Sequence, residues 1–303
     1  MKRLAAMVLA ISVLVAGGAR AAPCVDLPHM TYPDAVITAC TAEIQLSRSR
    51  VDVATAYTVR SHAYGLKGDK DQALADLNQT LVFDPYFWGA LVNRAVFYTN
   101  SGQLDLALKD YNDAILFHSD IPEAYLYRGV VYSRMGDIDH ALADAGEAIR
   151  RNPKYVEAYI FRAGQSVAAR KTDAAIADLN TVLALDGKSA RGLNARCWVH
   201  TIMGQDLRSA LADCDQALAL SPGKASYLDS RALVELRLGD VDAAIRDYSA
   251  ALERDQKMAD SLYGRSLAER RKGDMAAAQA DASAAITMEK DIEARFVSWG
   301  LTP

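Results

Sequence analysis

The stretch from Pro122 to Tyr155, PEAYLYRGVVYSRMGDIDHALADAGEAIRRNPKY, shows the pattern that decides the fold. It reads as two amphipathic helices separated by a Gly136-Asp137 turn, and Pro153 ends the second helix. Similar turns recur along the chain at a spacing of about 34 residues. Turn glycines on this spacing are Gly68, Gly102, Gly136, Gly204, Gly239 and Gly273. The spacing predicts tandem helical hairpins that stack into an array.

Seven such repeats tile the chain, and the fifth carries one extra residue after Asp206. Their bounds are 54–87, 88–121, 122–155, 156–189, 190–224, 225–258 and 259–292. Position 8 of every repeat is small and position 20 is always alanine, so the two helices of a hairpin can approach closely. No convincing alternation of apolar and polar residues indicates a strand. We therefore expect an all-α solenoid.

Composition excludes several classes of protein. The chain has 303 residues, of which 51% are hydrophobic and 24% charged, so it is neither disordered nor a polytopic membrane protein. A net charge of −4 argues against nucleic acid as a partner. The 5 histidines are scattered, and we find no phosphate-binding glycine loop and no Gly-x-Ser-x-Gly motif. We expect no catalytic residues, no cofactor and no metal.

The repeats resemble the tetratricopeptide repeat family over residues 54–292, through large residues at position 4, the small residues, the alanines and prolines such as Pro85, Pro153 and Pro222 at position 32. The resemblance implies a right-handed superhelix whose concave face binds proteins or peptides. Two features depart from the family pattern. Arg170 replaces the turn glycine of repeat four, and position 11 changes from tyrosine to Ser166, His200, Glu235 and Glu269 in the later repeats.

The resemblance also places a binding groove, because the family turns positions 2, 5, 9, 12 and 13 of its first helices toward the concavity. An apolar strip flanked by polar residues suits an extended or helical peptide. The alternative is that these side chains are buried against neighbouring repeats. The groove residues so predicted are Val92, Val96, Leu126, Val130, Ile160, Asn194, Trp198, Tyr263, Arg270 and Arg271.

Position 7 is arginine and position 23 is aspartate in all seven repeats. In a hairpin these positions lie nearly level, so we predict a ladder of bidentate pairs within or between repeats. A row of arginines that grips acidic ligands is the alternative. The ladder comprises Arg60, Asp76, Arg94, Asp110, Arg128, Asp144, Arg162, Asp178, Arg196, Asp213, Arg231, Asp247, Arg265 and Asp281.

The N-terminus has the layout of a signal peptide. Two basic residues precede an apolar run, and the small-x-small site Ala19-Arg20-Ala21 follows it. We predict that residues 1–21 are removed and that no membrane span remains. Segments such as ARCW and ALADCDQAL also resemble exported repeat proteins of Gram-negative bacteria. We therefore expect a periplasmic or secreted protein.

Four cysteines in an exported chain predict two disulfides. Cys24 and Cys40 share an N-terminal cap at 22–53, whereas Cys197 and Cys214 face each other across the hairpin of repeat five. We favour the pairing of Cys24 with Cys40 and of Cys197 with Cys214 over the other two connectivities. A C-terminal capping helix at 293–303 is expected to cover repeat seven with Phe296 and Trp299.

These features predict an adaptor or scaffold in the cell envelope that binds a protein or peptide partner. Two other functions are kept open. The chain could be a structural subunit that associates with copies of itself, or a non-catalytic accessory subunit of an envelope enzyme complex. A monomer with a free groove would favour the adaptor.

Overall fold

The computed structural model describes Cys24 and residues 32–302, so the predicted signal peptide lies outside the described residues. The described chain contains sixteen helices and no strand, which confirms the all-α prediction. The helices are α1 Pro33–Leu46, α2 Arg50–Leu66, α3 Lys70–Phe83, α4 Trp88–Asn100, α5 Leu104–Phe117, α6 Pro122–Arg134, α7 Ile138–Arg151, α8 Val156–Ala168, α9 Thr172–Leu185, α10 Ala190–Met203, α11 Leu207–Leu220, α12 Ala225–Leu238, α13 Val241–Arg254, α14 Ala259–Lys272, α15 Met275–Met288 and α16 Ile292–Ser298.

The chain divides between Pro153 and Lys154 into two compact halves. In the N-terminal half α1 packs on α2, and the hairpins are α2/α3, α4/α5 and α6/α7. In the C-terminal half the hairpins are α8/α9, α10/α11, α12/α13 and α14/α15, and α16 contacts α14 and α15. Within the described residues, no helix is both long and apolar enough to cross a bilayer.

The turns inside the hairpins follow from the Gly-Asp pairs. Gly136 has φ +83°, a left-handed conformation that ends a helix at no steric cost to glycine. The next residue, Asp137, begins α7 by accepting a hydrogen bond from the backbone N–H of His140 at 3.1 Å. The same aspartate cap begins the second helix at Asp69, Asp240 and Asp274. Each dipeptide therefore ends one helix and begins the next.

The recurring small residues lie where the two helices of a hairpin meet. The position-20 alanines are buried in all seven repeats, as are the small residues at position 8. Large side chains fill the space beside them, and Tyr111 and Tyr248 are each only 1% exposed. Because a protein interior is close-packed, a larger residue at either small position would force the hairpin apart.

Two turns place a residue other than glycine in the left-handed conformation. Arg170 has φ 60°, and Asp206, which precedes the extra residue of repeat five, has φ 47°. A left-handed conformation strains a residue that carries a Cβ, less so aspartate than arginine. Repeat four therefore keeps the turn of its neighbours although it lacks their glycine.

We predict that Arg170→Gly raises the free energy of unfolding by about 1 kcal/mol, because it removes the strain of a left-handed arginine. Urea unfolding measures this change. The control is Ala168→Gly at the end of α8, which places glycine in a right-handed conformation and should lower stability. A loss of stability in Arg170→Gly would contradict the assignment of strain.

Candidate functional site

The arginine at position 7 grips the aspartate at position 23 of its own repeat with two parallel hydrogen bonds. Arg128 donates from Nε to Oδ2 of Asp144 at 2.8 Å and from Nη2 to Oδ1 at 2.7 Å. All seven repeats show this arrangement, with N···O distances between 2.6 and 3.1 Å. Hydrogen bonding to Asp144 raises the pKa of Arg128, so the guanidinium stays charged.

The same guanidinium also reaches the repeat before its own. Arg128 Nη1 donates to Oδ1 of Asn112 on α5 at 2.7 Å. Equivalent bonds join Arg60 to Thr41, Arg94 to Asn78, Arg196 to Asn180, Arg231 to Asp215 and Arg265 to Ser249. The ladder therefore acts within repeats through its carboxylates and between repeats through its third donor. These donors are used inside the fold and do not form a row of free charges.

Position 11 supplies a further neighbour of the ladder arginine in five of the seven repeats. In the first three repeats Tyr64, Tyr98 and Tyr132 present their rings to the guanidinium at 5.8 to 5.9 Å, a cation–π distance. In repeat six Glu235 takes this place, with Oε1 at 4.0 Å from Nε of Arg231. Burial, and then the charge of Asp247, raises the pKa of Glu235 to about 7. Burial likewise raises the pKa of Glu269 in repeat seven.

The four cysteines form two disulfides in the structure. Cys24 bonds to Cys40 of α1 with a Cα–Cα distance of 5.0 Å. Cys197 of α10 bonds to Cys214 of α11 with a Cα–Cα distance of 5.6 Å. The first ties Cys24 to α1 within the N-terminal cap, and the second crosslinks the two helices of one hairpin. All four sulfurs are buried, which suits a structural role.

In the N-terminal half, the predicted apolar strip is only partly open. Val92 and Leu126, both at position 5, are buried with exposures of 2% and 5%. Val96 and Val130, both at position 9, are half-buried. Val92 and Leu126 are thus core and are not available to a ligand, which corrects the prediction for these two residues. They are covered because α4 and α6 pack against neighbouring helices of the array.

In the C-terminal half, Ile160 lines a cavity of about 530 Å³ at the beginnings of α8, α10 and α12. Its wall carries positively and negatively charged side chains, and Nη1 of Arg191 lies 3.7 Å from Oε1 of Glu157. Lys224 lies 4.8 Å from the ring centre of Tyr227. The cavity is further lined by Lys154, Val156, Asp186, Lys188, Ser189, Ala190 and Ser221. Basic side chains outnumber acidic ones here, although the chain as a whole is acidic.

Asn194 and Trp198 follow Arg191 along one face of α10. Asn194 Oδ1 is buried and accepts no hydrogen bond from any described residue. Trp198 is half-buried, and its ring packs edge-to-face against Trp299, with the centroids 6.1 Å apart. On this face of α10 the amide oxygen of Asn194 is therefore left without a hydrogen bond, whereas the ring of Trp198 contacts the C-terminal part of the chain.

Tyr263, one of the predicted groove residues, is covered by the chain's own C-terminal helix. Tyr263 is only 3% exposed, because Phe296 of α16 lies against it at a centroid distance of 4.9 Å. Sequence reasoning did expect Phe296 and Trp299 to cover repeat seven. It did not anticipate that Trp299 reaches back to Trp198 in repeat five.

Arg270 and Arg271 are exposed at the end of α14, but Arg271 has a structural partner. Its Nη1 donates to the carbonyl oxygen of Leu236 near the end of α12 at 2.6 Å. Arg134 and Arg237, at the same position 13, bond to the last carbonyls of the preceding first helix. A cation at a helix C-terminus is favourable. The recurrence of arginine at position 13 was the signal that sequence reasoning missed.

The described residues contain no group of three or more His, Cys, Asp or Glu side chains that could hold a metal ion.

Comparisons with known proteins agree with this architecture. The tetratricopeptide repeat model matches residues 126–190 and 230–291. A tetratricopeptide repeat protein from Parabacteroides merdae is 19% identical with a TM-score of 0.66, covering 82% of this chain and 98% of that one. PilW, a type IV pilus biogenesis factor, is 20% identical with a TM-score of 0.61, covering 69% and 96%. Pseudomonas aeruginosa PilF is 17% identical with a TM-score of 0.60, covering 70% and 96%.

The chain has the all-α tetratricopeptide repeat fold, and the model of that family matches two segments of it. Proteins with this fold generally act as non-catalytic scaffolds for protein–protein interaction. The comparison with curated proteins finds no match to this sequence.

We predict that Arg128→Ala lowers the free energy of unfolding by roughly 2–4 kcal/mol, because it leaves the carboxylate of Asp144 buried without its partner. The double variant Arg128→Ala/Asp144→Ala should lose less, since no charge is stranded. Chemical denaturation compares the two. The exposed Arg150→Ala on α7 is the control and should change stability by less than about 0.5 kcal/mol. Equal stability of Arg128→Ala and the wild type would contradict the prediction.

The raised pKa of Glu235 predicts a pH-dependent stability. The carboxyl group of Glu235 binds its proton more tightly in the folded chain than in the unfolded chain. Protonation of Glu235 therefore stabilises the fold below about pH 4.5, and this stabilisation is lost as the pH rises through 7. Glu235→Gln should therefore be more stable than the wild type at pH 8, by roughly 2 kcal/mol, and no more stable at pH 4.5. Thermal melts at both pH values test this. Glu253→Gln, at an exposed site on α13, should show no such difference.

Proposed function

We propose that this chain is an exported, periplasmic adaptor that binds a protein or peptide partner through the first helices of its repeats. It has no catalytic role in this proposal. Tetratricopeptide hairpins offer the partner a row of helix faces, and a peptide laid across them meets side chains from several repeats in turn.

The observation that carries the proposal is the unsatisfied amide oxygen of Asn194. A buried acceptor without a partner costs about 1–3 kcal/mol, and folded proteins rarely leave one. The Asn194 side chain as a whole is only half-buried, so a rotation of the amide would bring this oxygen to a backbone N–H of a bound peptide. Asn194 lies one turn beyond Arg191, which lines the 530 Å³ cavity, so a peptide held there can also place side chains in that cavity. The basic lining favours a peptide with acidic side chains.

Export is supported by the two disulfides and by the signal-like sequence of residues 1–21. Disulfides persist in the periplasm and outside the cell and are rare in a reducing cytosol. The likeness to a type IV pilus biogenesis factor is one of fold. The proposal of export therefore rests on the disulfides and on the signal-like sequence. A structural subunit that self-associates is the alternative, and light scattering after size-exclusion chromatography separates it from a monomeric adaptor.

We predict that a photo-crosslinking amino acid at Ile160 captures a partner in the periplasm, because this position lines the cavity. The same group at Ala184, an exposed position on the second helix α9, is the control and should capture nothing specific. Adding Asn194→Ala should reduce capture at Ile160 at least tenfold without lowering the melting temperature. Undiminished capture in Asn194→Ala would refute the role of this amide.

A further inference from the structure

The C-terminal segment, defined here as Ile292–Thr302, crosses the first helices of three repeats. Phe296 lies on Tyr263 of α14, and Trp299 lies edge-on to Trp198 of α10. Between them, Arg237 of α12 donates from Nη2 to the carbonyl oxygen of Trp299, 62 residues away. We call the surface of Tyr263, Arg237 and Trp198 the tail site.

The conformation of the segment directs its apolar groups inward. Gly300 has φ +75°, and the backbone N–H of Leu301 donates to the carbonyl oxygen of Phe296 at 3.0 Å, closing a Schellman turn. This turn brings Leu301 beneath the helix, where it is 2% exposed, beside Phe296 at 1%. The opposite side of α16, with Glu293, Val297 and Ser298, faces solvent.

Polar contacts fix the segment at its edge. Arg295 Nη2 lies 2.5 Å from Oδ1 of Asp260 on α14 and 2.7 Å from Oε2 of Glu289. All three side chains are partly exposed, so these ion pairs orient the helix but add little to the stability of its docking. An apolar face laid on other helices, with a charged rim, is how an amphipathic helix occupies a groove.

This arrangement differs from simple capping. A cap of a repeat array covers the terminal repeat, because each repeat contacts only its neighbours. Here a helix of 7 residues and the turn after it continue past repeat seven to Arg237 in repeat six and Trp198 in repeat five. The contacts follow the row of first helices that the proposed function assigns to a partner.

We propose that the tail site binds a short amphipathic helix with Phe, Trp and Leu spaced as in residues 296, 299 and 301, and that the C-terminal segment is its resident, displaceable ligand. The partner it fits is a peptide segment of the same chemistry. This inference rests on the proposed function, since it names the kind of peptide that one part of the first-helix row accepts.

Tethering makes the resident segment a strong competitor. A ligand joined by a short linker is present at an effective concentration on the order of 1 mM. If the free peptide binds with a Kd of about 10 μM, the tethered copy weakens its apparent affinity roughly 100-fold. An external peptide therefore binds well only when the resident segment is weakened.

The test uses a fluorescent peptide with the sequence of residues 289–303 and the full chain. The variant Phe296→Ala/Trp299→Ala weakens the resident segment and leaves the tail site intact. We expect this variant, with wild-type helical content by circular dichroism, to bind the peptide at least tenfold more tightly than the wild type does. Adding Trp198→Ala should abolish that gain. A folded variant that gains no affinity for the peptide would overturn the proposal.

Hydrogen exchange on the wild type tests the same idea without any substitution. The amides of Gly300 and Leu301 are hydrogen-bonded, so they exchange only when the segment opens. We expect them to exchange at least 100-fold faster than the central amides of α14, which open only with the repeat. Equal rates would mean that the segment is an inseparable part of the core, and the proposal would be wrong. Capture at Ile160 would still test the proposed function on its own.

Discussion

A guanidinium group holds the two helices of each repeat together, and within each half of the chain it also bonds to the helix before its own. Its planar set of N–H donors matches one carboxylate with two bonds and leaves a third donor pointing across the repeat boundary. Arg128 shows the whole pattern, with Asp144 in its own hairpin and Asn112 in the preceding one. The carboxylate is almost fully buried, so neither partner can be removed alone without leaving an uncompensated charge. The pair with the carboxylate recurs in all seven repeats, so the same constraint acts in every hairpin.

The ladder also determines where binding can occur. Its arginines are committed to aspartates, and the position-13 arginines Arg134 and Arg271 are committed to helix C-termini. Recognition is then left to positions that make no such contacts. In the C-terminal half these are Asn194, with its unsatisfied oxygen, and the basic cavity beside Ile160. The charges that dominate the sequence pattern are therefore structural, and the less regular residues are the candidates for function.

Position 11 shows how the repeats diverge around a constant core. A tyrosine ring at this position attracts the guanidinium through a cation–π interaction and carries no charge itself. Glu235 and Glu269 bring a further carboxylate toward an arginine that is already paired with at least one, in a place with little water. Burial then favours the protonated acid, which explains the raised pKa values. The last two repeats thus carry an acid of raised pKa at the position where the first three carry a tyrosine.

The sequence alone determined every feature that is local and repeated. Glycine followed by aspartate predicts a left-handed residue and a helix cap, and the constant alanines predict close helix contact, because each effect acts within a few residues. The arginine–aspartate register was readable for the same reason, since a single hairpin brings the two positions level. Only the tertiary structure decided which side chains of the first helices are buried and which are covered by a distant segment of the chain. Val92 and Leu126 are core because neighbouring helices cover them, and Tyr263 is covered because Phe296 returns to it. Contacts such as that between Trp198 and Trp299 join distant parts of the chain, and no periodic pattern records which distant side chains will meet.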